Sequence, residues 1–554
     1  MSASARWRTL CLVGVVAIGV CAASSPGSTA AHWWSVAESS EAPASEASAS
    51  GTGAALRLTA TPSLTPAYQA ALPDYTVACE PQGAVSVRAT VPRGETLSID
   101  GGPPLHGSVE RRLRLQAGEA FTFTVGGASG NTTHDVRCTP PNFPRWTVHG
   151  SGLPTASWII FSPDQGPYAV ITDSHGIPVW WMRSPSGDTT NASVLPDGDV
   201  AWWNPGTIFG DTNEGYDTVR KLDGSLVETV TASTSDGYGE VGANLHDLQE
   251  LANGDFLLIA NAASSVPSLA PYGGRHQPGI VVDSIIQEVT PSGKLLWSWD
   301  TANHIKPSET DWGFAHTPGS WNGKKAYDII HMNSIQMIET GGCAVAPTKT
   351  SPATCDIVFS ARHLDAVYSI SMATGKINWK LGGTEVPGES LKFVGDPYSD
   401  FSGQHNARIL ANGTLTLFDN GTRAHRPPRA VSYRLGAHTA TLVNQITDPS
   451  IHSSTCCGSA TLLPRGAWLI DWGGDPVISE FTHTGRQVLT LVLHTVFSYR
   501  ALPVTAPKVT RRALVAAMNE MFAKRSPKRF TLTAGTTRAT VRGFETEHLL
   551  IDLD

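Results

Sequence analysis

The sequence predicts an all-β fold class: a six-bladed β-propeller preceded by a small β-sandwich domain. Pairs of short apolar runs separated by turn residues recur from about residue 150 to residue 500. The 554 residues include 53 Gly and 37 Pro, a composition that favours short strands and turns over long helices. With 41% hydrophobic residues, the chain can build more than one core. A formal net charge of −8 and no basic stripe give no indication of a nucleic-acid partner.

Residues 1–25 are predicted to be a secretory signal peptide. Arg6 and Arg8 precede an apolar stretch over residues 10–23, which is too short for a comfortable membrane span, and small residues follow it. Val20 before Cys21 is a poor fit to a lipidation signal. Residues 26–70 are rich in Ala, Ser and Pro and are predicted to form a disordered linker. We therefore expect a secreted or extracytoplasmic protein without stable membrane insertion after signal cleavage. A homodimer is left open.

Residues 71–148 are predicted to form the N-terminal β-sandwich. Cys79 and Cys138 bracket short alternating strands such as "VSVRATV" and "AFTFTV". In an exported protein we expect disulfides between Cys79 and Cys138 and between Cys343 and Cys355, whereas the adjacent pair at residues 456–457 is left open. None of these cysteines shows the CxxC spacing of structural zinc sites.

Residues 149–505 are predicted to form the propeller. A turn glycine between two apolar strands recurs six times, as in "ITDSHGIPVWW" and "ISEFTHTGRQVLTLVL", and second hairpins such as "ARILANGTLTLFDN" lie between these copies. Two hairpins per repeat make a four-stranded sheet. A sandwich or an eight-bladed ring is an alternative, but the number of turn glycines favours six blades. Residues 506–554 form a C-terminal extension in which "RRALVAAMNEMF" predicts an amphipathic helix.

Three of the predicted blades carry a histidine at an equivalent position. His246 and His405 each lie seven residues before the Asn of an Asn-Gly turn, and His331 opens the corresponding strand of the blade between them. Two further blades carry Thr190 and Gly458 there. Because equivalent positions of a radial fold converge, we expect the three imidazoles at the mouth of the central channel.

An antiparallel hairpin returns to the end at which it began, so Arg362, at the close of "CDIVFSAR", is expected beside His331. Strand alternation should turn Asp247 and Asp419 away from the site. The equivalent strands of other blades end in Asn261, Asn420 and Trp472.

Three histidines could form a zinc site with an open fourth position, but a nearby Arg would repel the metal. Imidazoles with Arg and Asn instead make a pocket for a tetrahedral oxyanion, and an imidazole can act as nucleophile or proton shuttle near neutral pH. The residues alone therefore predict transfer or hydrolysis of a small anionic group. Neither a metal nor a cofactor is expected.

The segments "HDLQELANGD", "HMNSI", "FSARH", "GQHNARILANGTLTLFDNG" and "FSYRALPV" resemble the arylsulfotransferase family. These secreted bacterial enzymes move a sulfuryl group between phenols without a nucleotide sulfate donor. The resemblance covers roughly residues 150–505. It implies a six-bladed propeller with an N-terminal β-sandwich, and it implies an aryl sulfate donor and a phenolic acceptor as the small-molecule partners.

The resemblance also implies roles for five residues of this chain. His405 matches the histidine that becomes transiently sulfated. His331 and Asn333 match the His-x-Asn pair that handles the phenolic proton and binds the sulfuryl group. His246 and Arg362 match the remaining anion-binding His and Arg. A ping-pong mechanism through a sulfohistidine follows from these roles.

Two other functional classes remain as alternatives. "TGKxxW" turns also occur in quinone-dependent dehydrogenase-like propellers, in which vicinal cysteines lie beside the quinone. A secreted propeller that only binds a partner or a glycan is the other alternative. A quinone absorbance would favour the first, and a His405 substitution without consequence would favour the second.

Overall fold

The computed structural model describes residues 55–79, 83–163, 166–206, 214–235, 237, 241–310, 318–321, 324–338, 355–494, 497–523, 528–534, 537–543 and 549–553. These residues are nearly all in strands and turns, with one α-helix among them. The all-β prediction is confirmed. Within the described residues, no helix combines the length and the hydropathy that a membrane span requires. The predicted signal peptide lies outside these residues and stays a prediction.

The N-terminal module comprises two sheets that share one apolar core. The first contains Arg57–Thr61, Ala84–Val91 and Gly107–Arg114. The second contains Leu64–Thr65, Asp74–Ala78, Gly130–Thr139, Ala120–Gly127 and Thr96–Ile99. Val87, Phe121 and Phe123 are at most 1% exposed between them, and full burial of such a side chain contributes about 1.5–3 kcal/mol. The predicted Cys79–Cys138 disulfide is confirmed and joins the ends of two paired strands.

The predicted linker over residues 26–70 is wrong beyond residue 55. The strand Arg57–Thr61 pairs antiparallel with Ala84–Val91, and Leu58 is buried in the core of the module. A composition rich in Ala, Thr and Pro therefore does not exclude a strand whose hydrogen bonds come from a neighbouring sheet. The earlier part of the predicted linker lies outside the described residues.

Six groups of four antiparallel strands follow, which we call sheets 1 to 6. The strands pair in sequential order in sheets 2 to 6, and sheets 4 and 5 are joined through a shared strand into one nine-stranded sheet. Sheet 1 contains Ser498–Pro503, Trp158–Pro163, Tyr168–Asp173 and Pro178–Arg183. Sheet 2 contains Thr190–Val194, Val200–Pro205, Glu214–Arg220 and Leu226–Val230. Sheet 3 contains Leu248–Glu250, Phe256–Val266, Gly279–Val289 and Leu295–Asp300. Sheet 4 contains Met332–Ile338, Asp356–Ala361, Ala366–Ser371 and Ile377–Gly382. Sheet 5 contains His405–Ile409, Thr414–Asp419, Arg429–Leu435 and Thr439–Ile446. Sheet 6 contains Ser459–Leu462, Trp468–Asp471, Val477–Phe481 and Gln487–Leu493.

Short strands extend these sheets. Ala243–Asn244 pairs in sheet 2, and Pro318–Trp321 and Lys324–Asp328 pair at sheet 3. Ser390–Val394 lies between the outer strands of sheets 4 and 5, and Trp146–Gly150 pairs with the outer strand of sheet 6. The last sheet therefore takes in a strand from the start of the repeat region, while the first sheet takes its edge strand from near the end.

Hydrogen bonds join the first edge strands, or the residues just before them, of sheets 2 and 3, 3 and 4, 4 and 5, and 6 and 1. The connecting hydrogen bonds are Asn191 Nδ2 to His246 O (3.0 Å), Ile335 N to Asp247 Oδ2 (2.8 Å), Ala407 N to Ser334 Oγ (3.0 Å) and Ser459 Oγ to Ala501 O (2.8 Å). Apolar clusters fill the space between consecutive sheets. Trp180 and Trp202 are buried between sheets 1 and 2, and Trp299 and Phe359 between sheets 3 and 4. The segments just before these edge strands are therefore held close together.

The predicted C-terminal helix is confirmed over Arg511–Ala523. Its Met518 packs in the cluster that contains Trp181 of sheet 1, and its Arg511 bonds to Asp74 of the N-terminal module at 2.7 Å. The helix thus fastens the module to sheet 1. The strands Lys528–Ala534, Thr537–Gly543 and Leu549–Leu553 follow as a separate sheet. Cys355 is disulfide-bonded, and its predicted partner Cys343 lies outside the described residues.

Candidate active site

The predicted histidines and Arg362 lie at the edge-strand ends of sheets 3, 4 and 5. His331 directly precedes its strand, and His246 lies two residues before its strand. His405 is the first residue of its strand. The Nε2 atoms of His246 and His331 are 3.1 Å apart. The backbone N–H of Arg362 donates to the carbonyl of His331 at 3.0 Å, as the hairpin argument predicts. The structure thus brings these residues together.

His405 has a defined tautomer. Its Nδ1 lies 2.9 Å from the carbonyl of Gly403 and 2.8 Å from Oδ1 of Asn420. Both oxygens can only accept, so Nδ1 carries the proton and Nε2 carries the lone pair. In agreement, Nε2 accepts the backbone N–H of Cys457 at 3.1 Å. Burial and the nearby Arg362 hold the pKa of His405 well below its usual value, so the ring is neutral.

The partners of His405 are themselves fixed. The amide nitrogen of Asn420 donates to Ser454 Oγ at 2.9 Å and to the carbonyl of Cys457 at 3.1 Å, which orients its oxygen toward the imidazole. Cys457 has φ +63°, in the left-handed region that non-glycine residues rarely adopt. Such backbone outliers concentrate at functional sites. The segment over residues 454–458 therefore covers the Nε2 edge of His405.

His246 is neutral and also protonated on Nδ1. This nitrogen and the backbone N–H of His246 both face Oδ1 of Asn244, whose amide nitrogen donates to Glu214 at 3.2 Å. Burial, with the nearby His331 and His405, holds the pKa of His246 well below its usual value. Its Nε2 therefore carries a lone pair that points at His331.

His331 faces a hydrogen-bond acceptor at each of its ring nitrogens. Its Nδ1 lies 2.5 Å from Oδ2 of Asp328, a carboxylate, so Nδ1 carries a proton. Its Nε2 faces the lone pair of His246, so Nε2 must also donate. Burial raises the pKa of Asp328, but the charge and hydrogen bonds of His331 outweigh it and hold that pKa below its usual range. The ion pair places a protonated imidazole in the cluster.

His363 and Arg362 complete the cluster. The ring of His363 lies against that of His331, with centroids 4.5 Å apart. His363 Nδ1 donates to the carbonyl of Asp328 at 2.6 Å, and its Nε2 accepts from Nη1 of Arg362 at 2.9 Å. Burial and His331 lower the pKa of His363 to about 3, so this ring is neutral. Arg362 also donates through Nη2 to the carbonyl of Thr455 at 2.8 Å, which ties it to the segment that covers His405.

Asn333 and the carboxylates of Asp247 and Asp419 lie next to the histidine cluster, and their hydrogen bonds show which of them face it. The amide nitrogen of Asn333 donates to the carbonyl of Gln404 at 2.7 Å, whereas its Oδ1 is buried without a partner among the described residues. Asp247 faces Arg500 and Arg408 at 2.9 and 2.8 Å. Asp419 faces Arg429 at 2.8 Å. Both carboxylates are thus turned aside, as strand alternation predicts.

Sequence reasoning missed Asp328 and Tyr499. The sequence did not place a carboxylate in the site, but Asp328 reaches His331 from three residues upstream in "DIIHMN". The ring of Tyr499 lies edge-on to His246 and to His405, with centroids 5.6 and 6.4 Å away. Its buried hydroxyl has no hydrogen-bond partner within the described part of the chain. Burial raises the pKa of Tyr499, so the hydroxyl keeps its proton and can donate.

Asp328, His331 and His363 offer three potential metal-ligand atoms within 4.8 Å of one another. The nitrogens of both rings already bond to protein groups, and the Arg362 guanidinium lies beside His363. A divalent cation would have to displace protons and oppose that positive charge. The donor set therefore fits an anion better than a metal.

Comparison with known proteins identifies the family to which this chain belongs. The family model for arylsulfotransferase (ASST) matches residues 191–494, more than half of the chain. None of the curated proteins matches. Among solved structures, a Bacteroides caccae protein of unknown function shows 12% identity and a TM-score of 0.36, with 63% of this chain and 99% of that chain covered. AztD from Citrobacter koseri shows 8% identity and a TM-score of 0.29, with 66% and 99% covered. The Dos1 propeller shows 11% identity and a TM-score of 0.24, with 72% and 81% covered.

Proposed function

The chain belongs to the arylsulfotransferase family, and on that premise we propose that it transfers a sulfuryl group from an aryl sulfate ester to a phenolic acceptor. His405 carries the group between two half-reactions as a sulfohistidine, which gives ping-pong kinetics. The observation that carries the proposal is the hydrogen-bond pattern. It leaves a lone pair on Nε2 of the neutral His405 and protonates both nitrogens of His331.

In the first half-reaction, Nε2 of His405 attacks the sulfur and the bond from sulfur to the aryl oxygen breaks. The ring keeps its Nδ1 proton on Gly403 and Asn420 throughout. His331 gives its Nε2 proton to the departing phenolate oxygen and becomes a neutral imidazole. In the second half-reaction His331 takes the proton of the incoming phenol, whose oxygen attacks the sulfur and releases His405. Each proton and each bond is restored after one turnover.

Arg362 and the backbone N–H of Cys457 are the groups that stabilise the sulfuryl oxygens in this proposal. The guanidinium supplies a fixed positive charge. The Cys457 N–H donates to Nε2 of His405 before the reaction, and it can donate to a sulfuryl oxygen once Nε2 is bonded to sulfur. His246 accepts from His331 and orients its Nε2 proton, and Asn333 lies against the main chain just before His405. Neither a metal nor a cofactor takes part.

We propose that sheets 1 to 6 are the six blades of one propeller and that the N-terminal module is a β-sandwich. The edge-to-edge hydrogen bonds between successive sheets, including that from Ser459 to Ala501, support the propeller. The two sheets with a common core support the sandwich. We also propose secretion through the signal peptide at residues 1–25, because oxidising compartments favour the Cys79–Cys138 disulfide.

The test of the reaction uses an aryl sulfate donor, a phenol acceptor and no nucleotide sulfate. We expect transfer with parallel double-reciprocal plots. Incubation with donor alone, followed by peptide mass analysis at alkaline pH, should find one sulfuryl group on the peptide that carries His405. His405→Asn should abolish both signals, whereas His438→Asn, at an exposed histidine, should keep both. Transfer without a labelled peptide would contradict the covalent mechanism, and label on His331 or His246 would contradict the role of His405.

A further inference from the structure

The first sheet of the N-terminal module has an outer face that points away from the C-terminal helix. Val85 and Val87 of its central strand are buried in the core that it shares with the second sheet. The second sheet contacts the helix, because Nη2 of Arg137 donates to Oδ1 of Asn519 at 2.7 Å. The second sheet therefore lies between the first sheet and the helix, and the opposite side of the first sheet is open.

Four exposed arginines lie on this open face, and we call them the arginine track: Arg57, Arg88, Arg112 and Arg114. Arg88 is on the central strand Ala84–Val91, where it alternates with the buried residues and so points outward. The register places the other three arginines directly opposite Thr90, Ser86 and Ala84 of the same strand, which have the same alternation as Arg88. Because directly opposite residues share a face, all four arginines project to the same side of the sheet.

The four arginines form a diagonal line across the three strands. Arg114 and Arg112 are two residues apart on one edge strand. Arg88 lies one strand across and two residues further along, and Arg57 repeats this step on the other edge strand. Two residues of a strand span about 7 Å and neighbouring strands are about 4.8 Å apart, so the Cα spacings along the line are about 7, 8 and 8 Å. The track is thus nearly straight and evenly spaced.

The face around the track is polar and carries a positive charge. The other outward positions of the three strands hold Thr, Ser and Ala, with Glu110 as the single acid among them. Glu110 pairs with Arg88 at 3.0 Å, but both side chains are more than 60% exposed, so this ion pair contributes little and a ligand can displace it. Four Arg and one Glu give the face a formal charge of +3 (4 − 1), whereas the whole chain has −8.

This arrangement fits a linear polyanion better than a single small anion. One exposed contact between an arginine and an anion is weak, whereas linked contacts reinforce one another because the first raises the effective concentration for the next. A guanidinium also matches two oxygens of a phosphate group. An extended chain advances about 3.3–3.6 Å for every three backbone bonds, so a polymer with six bonds per phosphodiester places its charges about 7 Å apart. That repeat is close to the spacing of the track.

We propose that the arginine track binds a linear phosphodiester polymer with a three-carbon repeat, of the poly(glycerol phosphate) type, and so holds the protein on a surface that carries this polymer. Each guanidinium pairs with one phosphodiester, and the Thr and Ser hydroxyls beside the track donate to polymer oxygens. A nucleic acid has the same number of backbone bonds per repeat, but the outward positions of these strands hold no aromatic side chain on which a base could stack. This binding is independent of the proposed sulfuryl transfer.

The experiment measures binding of fluorescein-labelled poly(glycerol phosphate) to the full chain by anisotropy at salt concentrations from about 50 to about 200 mM. Four contacts at about 0.7 each predict that the logarithm of the association constant falls against the logarithm of salt concentration with a slope of about −3. The double variant Arg112→Gln with Arg114→Gln should weaken binding at least tenfold at the lowest salt and flatten the slope by about 1.4. Arg57→Gln with Arg88→Gln should have a similar effect.

The controls use other charges of the chain. Arg183→Gln with Arg275→Gln, at exposed arginines outside the module, should bind like the wild type. Glu110→Gln should bind at least twofold more tightly, because it releases Arg88. All these side chains are exposed, so Tm should stay unchanged. His405→Asn should bind the polymer like the wild type even if no preparation transfers a sulfuryl group, which separates this inference from the proposed function.

Four results would overturn the proposal. The first is equal binding by the wild type and both double variants of the track, and the second is competition by monomeric glycerol phosphate as strong as that by the polymer at equal phosphate concentration. The third is tighter binding to oligothymidylate or to phosphatidylglycerol vesicles than to the polymer, which would assign the face to a nucleic acid or a membrane. The fourth is self-association of the protein alone that the Arg112 and Arg114 double variant abolishes, which would make the face a contact between two copies.

Discussion

Asp328→Asn is the sharpest test of the proton assignment at His331. Asn keeps the shape of Asp and can still accept the backbone N–H of His331, which now bonds to Oδ1 at 2.8 Å. Its amide nitrogen, however, faces Nδ1 of His331, where the carboxylate now accepts at 2.5 Å. An amide N–H cannot face a protonated Nδ1. The variant therefore holds His331 as a neutral ring with its proton on Nε2.

The magnitude follows from the lost charge-assisted bond. A hydrogen bond to a charged group contributes about 1.5–3 kcal/mol, and Asp328→Asn removes this contribution from the contact with Nδ1 of His331. A positioned general acid contributes about 10²–10⁴-fold to a rate. We therefore expect a loss of about 10²-fold when the leaving phenol is weakly acidic. The loss should shrink when the leaving phenolate needs no proton.

The assay is a series of aryl sulfate donors with one acceptor. For Asp328→Asn, kcat/KM should fall much more for 4-methylphenyl sulfate than for 4-nitrophenyl sulfate, because nitrophenolate leaves without help. Asp356→Asn, at the far end of the strand Asp356–Ala361, is the matched control and should change neither. An equal loss for both donors would show that Asp328 acts through structure alone. Unchanged rates for both would refute the imidazolium at His331.

Four further predictions use other contacts of the site. Arg362→Lys should lower kcat/KM by about 10²–10³-fold despite its charge, because one ammonium cannot bond to both His363 and Thr455 as the guanidinium does; wild-type kinetics would contradict the anion pocket. Asn420→Ala should lower the stability by about 2–4 kcal/mol, because three hydrogen bonds of about 1 kcal/mol each are lost. The same variant should lower the transfer rate about tenfold, whereas Asn261→Ala, at the equivalent position of sheet 3, should leave the rate unchanged. Tyr499→Phe should lower transfer about 2- to 12-fold without lowering Tm, while Tyr433→Phe, which loses the bond to Asp396, should lower Tm and spare transfer; the reverse result would make Tyr499 structural. Burial raises the pKa of Asp217 to about 8, so the stability that its bound proton contributes is lost as pH rises through 8; Asp217→Asn should therefore raise Tm more at pH 9 than at pH 6, and equal shifts would disprove this.

The equivalent positions of His246 and His405 could be predicted from the sequence because hairpin register is a local property. Asn-Gly turns fix where each strand begins, so seven residues before a turn means the same place in each sheet. The structure places His246 and His331 in direct contact, which this reasoning anticipates. The position of Arg362 followed from the same register.

The presence of Asp328 and Tyr499 at the site could not be predicted from the sequence, for two different reasons. Asp328 contacts both the backbone and the ring of His331, whose backbone has φ +53°, a conformation that the sequence does not reveal. Tyr499 comes from a strand more than 90 residues beyond His405 along the chain, so its approach depends on how the sheets are arranged. The Cys457 N–H that caps His405 is a backbone group and leaves no mark on composition at all.

The linker error has a similar origin. Residues 57–65 carry few large apolar side chains, so composition alone predicts disorder. Their strands form because Ala84–Val91 and Asp74–Ala78 offer unpaired backbone groups to them. A sheet edge can thus order a segment that has little to bury of its own.

The strands of sheet 1 come from distant parts of the chain, and this affects the order in which a newly synthesised chain folds. Its edge strand Ser498–Pro503 pairs with Trp158–Pro163, and the two begin 340 residues apart (498 − 158). At about 5–20 residues per second of synthesis, the early strand waits roughly 20–70 s with an open edge that invites wrong pairing. Tyr499 and Arg500 arrive with the late strand, and Arg500 clamps Asp247 beside His246. Sheet 1 and the Arg500 contact beside His246 are therefore completed in the same event, so we expect chains that end before Ser498 to lack the proposed transfer activity.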